Sequence, residues 1–219
     1  MHNSVQNLIN TKNTIKSKLE DLKINKLPKI IAVSKTFKID KILPLVEYGH
    51  LDYGENKVQE AIDKWSDIKN KKNNIKLHLI GRLQTNKVKF ALKIFDYIHS
   101  LDNEKLATKI ANEQIKQNKN LKIFIQINIG GEEQKSGVKK EDVSDFYKYC
   151  KNLNLNIIGT MCIPPKEGSS QNYFSEMNRI NKELNLVDLS MGMSSDYLEA
   201  SQNNATFLRI GSNIFGQRD

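Results

Sequence analysis

The chain has 219 residues, of which 38% are hydrophobic and 27% are charged, a balance typical of a globular protein with its own core. No apolar run approaches the roughly 20 residues of a membrane span, and residues 1–6 lack the basic-then-apolar pattern of a signal peptide. The net charge of +9 comes mainly from scattered lysines, with arginine only at positions 82, 179, 209 and 218. Because base readout favours arginine, we expect no specific nucleic-acid partner. Because no apolar run is long enough to span a membrane, we also expect no membrane partner.

Strand-like and helix-like stretches alternate along the chain. A helix is predicted over residues 2–22, where apolar residues recur near helical spacing: Val5, Leu8, Ile15, Leu19 and Leu22. Then come, in order, strand 30–34, helix 39–48, strand 51–54, helix 57–68, strand 76–80, helix 85–94, strand 96–99, helix 103–117, strand 122–129, helix 140–152, strand 156–161, helix 171–184, strand 187–191, helix 197–203 and strand 207–210.

Eight strand candidates that alternate with amphipathic helices indicate a parallel sheet buried on both faces. The number fits an α/β fold of the (β/α)8 TIM-barrel type with an extra N-terminal helix. An open doubly wound sheet is the alternative, but no G-x-G-x-x-G motif follows the first strand. Because no linker-like stretch divides the chain, we expect a single domain over 1–219.

The two cysteines, Cys150 and Cys162, form no CxxC pair and suggest no zinc site. Together with the missing signal peptide, they favour a reducing, cytoplasmic setting.

Lys35 comes directly after the apolar run that forms the first predicted strand. Apolar surroundings at the end of a buried strand disfavour a charged amine, and a neutral amine can attack an aldehyde to form a Schiff base. The alternative is an ordinary solvated lysine that caps the strand.

The loops after the seventh and eighth predicted strands contain a candidate phosphate site. Ser194 and Ser195 precede a predicted helix, and Gly211 follows the last strand, where the backbone of a glycine can approach an anion closely. In (β/α)8 enzymes these two loops often bind phosphate. The alternative for the serines is that one of them caps the helix.

Arg209 lies inside the apolar strand 207–210, where a charge needs a partner. Two interpretations remain open from the residues alone. The guanidinium either forms a buried ion pair with a carboxylate of the barrel or faces a bound ring or anion.

Several motifs in unbroken order resemble the pyridoxal 5'-phosphate homeostasis proteins, the single-domain relatives of the alanine racemase N-terminal barrel. The motifs are Ala32-Val33-Ser34-Lys35, Gly54-Glu55-Asn56 with Val58-Gln59-Glu60, the segment 78–87, Met191-Gly192-Met193-Ser194-Ser195-Asp196 and Arg209-Ile210-Gly211. The segment 159–164 departs mildly from the family, with Cys162 where alanine is usual.

The resemblance implies a barrel that carries pyridoxal 5'-phosphate (PLP) covalently, as an aldimine on Lys35. Ser194, Ser195 and the backbone near Gly211 would hold the phosphate, Asn56 would lie beside the cofactor and Arg209 near the pyridine nitrogen. His78 is expected to be a structural polar group inside the barrel, with a direct role at the cofactor as the alternative. Met161 is expected in the core, with a place on the cofactor face as the alternative. Lys135 is a solvated loop lysine or a second amine that receives PLP during transfer.

The resemblance favours a protein of intracellular PLP homeostasis that holds PLP without efficient catalysis. Alanine racemase relatives bring a second base on an additional β-domain, whereas this chain ends at Asp219, directly after the barrel. We expect a monomer, with apo PLP-dependent enzymes as candidate recipients of PLP. The alternatives are a PLP-dependent amino-acid racemase or related enzyme, and an interaction protein without a ligand.

Overall fold

Eight parallel strands close into a barrel in which each strand pairs with its neighbours in chain order and β8 pairs with β1. This computed structural model describes residues 1–165 and 167–217. The strands are β1 (Lys29–Val33), β2 (Asp52–Glu55), β3 (Lys76–Leu79), β4 (Tyr97–Leu101), β5 (Lys122–Ile127), β6 (Ile157–Cys162), β7 (Asp188–Ser190) and β8 (Phe207–Ile210). The predicted (β/α)8 barrel is confirmed.

Helices cover the outside of the barrel. They are α1 (Asn3–Asp21), α2 (Ile39–Glu47), α3 (Val58–Lys71), α4 (Val88–Ile94), α5 (Glu104–Gln117), α6 (Val143–Asn152), α7 (Ser170–Glu183), α8 (Tyr197–Gln202) and α9 (Ser212–Phe215). The helices predicted over 85–94 and 140–152 each begin with a 3-10 turn, at Thr85–Lys87 and Lys140–Asp142. Helix α9 was not predicted, because four residues are too short to show a helical period.

The extra N-terminal helix is confirmed as α1. Four residues of its predicted apolar stripe are buried, with Leu8 and Leu19 fully inaccessible. The fifth, Leu22, is 47% exposed, because the helix ends at Asp21 and Leu22 is its C-cap. At the other end, His2 caps the first turn by accepting from the Ser4 amide. Asn7 donates from Nδ2 to the carbonyl of Ile214 at 3.1 Å, which ties α1 to α9 beside the carboxyl ends of the strands. In the part of the chain that the structure describes, no helix is both long and apolar enough to cross a membrane.

The barrel has two apolar layers. The large outer core lies between strands and helices, and a smaller cluster fills the interior with Ile31, Tyr97, Phe124, Met161 and Phe207. Because successive side chains of a strand point to opposite faces, alternate residues along each strand share the interior. The same alternation places polar strand residues inside the barrel, among them His78, His99, Ser190 and Arg209.

Candidate functional site

All six predicted site residues line one cavity of about 650 Å³ at the carboxyl ends of the strands. Lys35 follows β1, Asn56 follows β2, and Arg209 lies within β8. The remaining predicted residues, Ser194, Ser195 and Gly211, come from the loops after β7 and β8, and the cavity is completed by Val33, Ile80, Ile163, Met193, Ser212 and Gln217. Their role in binding a cofactor stays a prediction.

Strand alternation explains why these residues meet. Ile31 of the interior cluster and Val33 of the cavity lining are two residues apart in β1, so both face inward, and Lys35 lines the cavity from the turn that follows the strand. Ile31 is opposite Arg209 in the β1–β8 register, and Val33 is opposite Gly54 in the β1–β2 register. The interior face of the barrel therefore continues into the cavity through Lys35 and Arg209.

A close backbone approach sets the place of Asn56. A Cβ atom at Gly81, after β3, would lie 2.4 Å from the carbonyl oxygen of Asn56. Since real contacts of a Cβ atom are longer, only glycine at position 81 lets the two segments pack in this way. Gly81, in the 78–87 motif, therefore lets Asn56, in the motif after β2, occupy its place at the cavity.

The segment that carries Lys35 is strained and is held by α3. Thr36 has a φ of 68°, which is rare for a β-branched residue. Its amide donates to Glu60 Oε1 at 2.6 Å, and Lys64 Nζ donates to the Ser34 carbonyl at 2.9 Å. The residues on both sides of Lys35 are therefore fixed by side chains of one helix.

Glu55 connects this support to the barrel. Its Oε1 accepts hydrogen bonds from Ser34 Oγ at 2.7 Å, Lys64 Nζ at 3.0 Å and Trp65 Nε1 at 2.9 Å. The sequence identified Glu55 and Glu60 only as parts of a motif and missed Lys64. No local pattern identified Lys64, because its partners are separated from it by four to 30 residues.

The loops after β7 and β8 meet through Ser194. Its Oγ accepts from the amides of Gly211 at 3.3 Å and Asn213 at 3.4 Å. Neither serine caps α8, whose N-cap is Asp196. Helices α8 and α9 have only six and four residues, so neither has the dipole of a long helix. These loops therefore present hydroxyl and backbone N–H donors.

Arg209 is buried and does not use the direct carboxylate partner that the sequence left open. Its NH1 donates to Ser190 Oγ and its NH2 to the carbonyl of Cys162, both at 2.7 Å. Among the described ion pairs none involves Arg209. The guanidinium reaches the cavity with its position fixed by neutral acceptors.

His78, Met161 and Lys135, for which the sequence also suggests places, do not line the cavity. His78 is fully buried inside the barrel, as expected, and stacks on Tyr97 with ring centroids 4.1 Å apart. Met161 is fully buried in the interior cluster, which agrees with its expected place in the core. Lys135 forms an ion pair with Glu132 in the loop after β5.

Comparison with known proteins decides the family. The family model described as "Alanine racemase, N-terminal domain" matches residues 12–219. A pyridoxal phosphate homeostasis protein from Aquifex aeolicus is 38% identical over 200 residues, which cover 87% of each chain. The chain belongs to the pyridoxal phosphate homeostasis protein family.

Solved structures place the family on the same barrel. PipY from Synechococcus elongatus, solved with PLP bound, superposes with a TM-score of 0.81 and 31% sequence identity, over 92% of this chain and 100% of that one. An alanine racemase from Clostridium difficile, 14% identical with a TM-score of 0.72, shares the fold. The alignment covers 99% of this family member but 57% of the racemase.

Proposed function

We propose that this protein binds PLP in the cavity around Lys35 and takes part in PLP homeostasis. The observation that carries the proposal is the meeting of an amine, a guanidinium and two serine hydroxyls around one cavity, in a chain whose relatives bear that name. The PLP-bound structure of PipY supports the choice of ligand.

The groups that line the cavity fit PLP chemically. PLP offers an aldehyde, a phosphate and a pyridine nitrogen. The described residues that line the cavity include two basic side chains, those of Lys35 and Arg209, and no carboxylate, as suits an anionic phosphate ester. The amides of Gly211 and Asn213 donate to Ser194 Oγ, so the loops after β7 and β8 meet at a hydroxyl that lines the cavity, which supports a phosphate position at this end.

Each residue then has a distinct role in the proposal. Lys35 would hold PLP through its amine, for which the aldehyde of PLP would be the partner. Ser194, Ser195 and the Gly211 backbone would hold the phosphate, and Asn56 would lie beside the cofactor. The clamp of Glu60 and Lys64 keeps the Lys35 segment in its strained turn, so the amine is presented before the ligand arrives.

Arg209 supports a carrier rather than a catalyst. A guanidinium beside the pyridine nitrogen disfavours protonation of that nitrogen, because both groups would then be positive. An unprotonated ring withdraws electrons less well than the protonated ring that many PLP enzymes maintain with a carboxylate. We therefore propose that PLP is held and released here, with apo PLP-dependent enzymes as recipients. A protonated pyridine nitrogen, seen by NMR of the PLP-loaded protein, would contradict this part.

Borohydride trapping tests the proposed site. The wild-type protein is mixed with PLP, reduced with borohydride, digested and analysed by mass spectrometry. We expect a yellow protein before reduction and a phosphopyridoxyl group on Lys35 afterwards. Lys35→Ala should lose the label, whereas Lys57→Ala, a change of the exposed lysine next to Asn56, should keep it. A colourless, unlabelled wild-type protein, or a label on another lysine, would overturn the proposal.

A further inference from the structure

Five polar side chains form one continuous chain of hydrogen bonds through the barrel. Arg209 NH1 lies 2.7 Å from Ser190 Oγ, which lies 2.8 Å from His99 Nδ1. His99 Nε2 lies 3.0 Å from His78 Nδ1, and His78 Nε2 lies 3.0 Å from Asp52 Oδ1. We call these five residues the interior chain.

The interior chain joins the two ends of the barrel. Arg209 lines the cavity at the carboxyl ends of the strands, and Asp52 lines a separate cavity of about 490 Å³ at the first residue of β2, the opposite end. Between them, His78, His99 and Ser190 are fully buried. Water therefore reaches the interior chain only near its ends.

The two end groups impose a direction on every bond. A guanidinium only donates and an ionised carboxylate only accepts. His78 must then carry its hydrogen on Nε2 to donate to Asp52, which leaves His78 Nδ1 to accept from His99 Nε2–H. The bare Nδ1 of His99 accepts from the Ser190 hydroxyl, whose oxygen accepts from Arg209. One arrangement, with both imidazoles neutral, satisfies all four bonds.

The opposite arrangement conflicts with the surroundings. If both histidines carried their hydrogen on Nδ1, the lone pair of His78 Nε2 would face an oxygen of the Asp52 carboxylate. Two acceptors would then be in contact, unless His78 were charged or Asp52 were protonated. Burial lowers the pKa of His78 and outweighs the bond to Asp52, and burial holds the pKa of His99 well below its ordinary value. Burial alone would raise the pKa of Asp52, but the hydrogen bond from His78 and nearby cations hold it below its usual value.

We propose that Ser190, His99 and His78 are positioning residues for Arg209, which tie its guanidinium to the Asp52 carboxylate and fix its orientation toward the cavity. A buried cation needs compensating negative charge. Asp196 acts on Arg209 through space, without an ion-pair contact among the described residues. The interior chain adds a second carboxylate, Asp52, which is connected to Arg209 by hydrogen bonds through three neutral groups. Two of the five N–H groups of Arg209 are held by Ser190 and Cys162, so the guanidinium plane cannot turn freely.

The histidine tautomers provide a test that needs neither PLP nor a variant. Long-range ¹H–¹⁵N NMR of the ligand-free protein should show His78 and His99 as neutral imidazoles with hydrogen on Nε2 at neutral pH. A neutral tautomer with hydrogen on Nδ1, or a charged imidazole, at either residue would overturn the proposal.

A second test measures the effect on the cavity and rests on the proposed function. Ser190→Ala should weaken PLP binding by up to about tenfold, the loss of one hydrogen bond, and shift the absorption maximum of bound PLP. Ser190→Thr keeps the hydroxyl and should restore both. Asp52→Asn, at the far end of the interior chain, should shift the spectrum in the same direction by less.

Asp188→Asn is the matched control, because Asp188 begins β7 at the same end of the barrel as Asp52 but is outside the interior chain. Unchanged spectra in both Ser190→Ala and Asp52→Asn, or an equal shift in Asp188→Asn, would overturn the positioning role. If the wild-type protein fails to bind PLP, the proposed function is wrong. The histidine tautomers of the ligand-free protein then decide by themselves whether the interior chain has the hydrogen-bond directions given above.

Discussion

Arg209 shows how one residue acquires its role from its neighbours. In the sequence it is a charge within an apolar strand, with two interpretations open. In the structure its NH1 and NH2 are held by Ser190 Oγ and the Cys162 carbonyl, and it lines the cavity that contains Lys35. The guanidinium is thus a fixed positive group beside the site where we propose that PLP binds.

That fixed charge predicts poor catalysis of amino-acid chemistry. The PLP-loaded wild-type protein, incubated with L-alanine or L-serine, should form the D-amino acid no faster than free PLP does, because an unprotonated ring is a weak electron sink. Chiral chromatography of the mixture measures this, with an alanine racemase as the positive control. Robust turnover would favour the alternative of a racemase or related enzyme.

At the scale of elements, the unit β2–α3 supports the end of β1. Glu55 at the end of β2 is completely buried, and Lys64 of α3 is 10% exposed. Lys64 also reaches Glu60 and the Ser34 carbonyl, so one ammonium joins β1, β2 and α3. The Lys35 segment therefore depends on a helix that does not itself line the cavity.

Removal of this ammonium should be costly. Lys64→Met leaves the buried Glu55 carboxylate without its cation, and we expect a loss of about 3–5 kcal/mol in the free energy of unfolding, measured with urea. Lys71→Met, on the exposed face of α3, should change it by less than about 0.5 kcal/mol. Adding Glu55→Gln to Lys64→Met should recover part of the loss. A Lys64→Met protein as stable as the wild type would contradict this role of the ion pair.

At the scale of the whole molecule, buried histidines make stability depend on pH. Burial, with repulsion from Lys12, lowers the pKa of His50 to about 4, and burial also lowers the pKa values of His78 and His99. The unfolded chain, with ordinary histidine pKa values near 6.5, binds more protons than the folded barrel below that pH. Stability is therefore full above about pH 6.5 and falls as the pH drops.

Substitution of His50 isolates one part of this effect. By proton linkage, His50 alone should lower the free energy of unfolding by about 2 kcal/mol at about pH 5, compared with neutral pH. His50→Gln keeps a donor for the Asp52 carbonyl and should flatten the fall by that amount. Urea unfolding of both proteins across this range measures the difference. Parallel pH profiles for wild type and variant would show that His50 is not the source.

The sequence by itself determined the order and type of the strands and the long helices, because apolar runs and helical periodicity are local signals. It also placed Lys35, Asn56, Ser194, Ser195, Arg209 and Gly211 at strand ends and inside β8, where a parallel barrel gathers them at one edge. The short helix α9 was missed, since it contains too few residues to show a period, and the two 3-10 turns were predicted as the first turns of the helices that they begin.

Only the tertiary structure decided how those residues are held. The partners of Lys35's segment and of Arg209 come from other elements: Lys64 and Glu60 from α3, Ser190 from β7 and Asp52 through the two histidines. Hydrogen bonds between residues such as His99 and Ser190, 91 positions apart, leave no periodic trace in the sequence. They depend on barrel closure and strand register, which bring distant inward positions together across the interior.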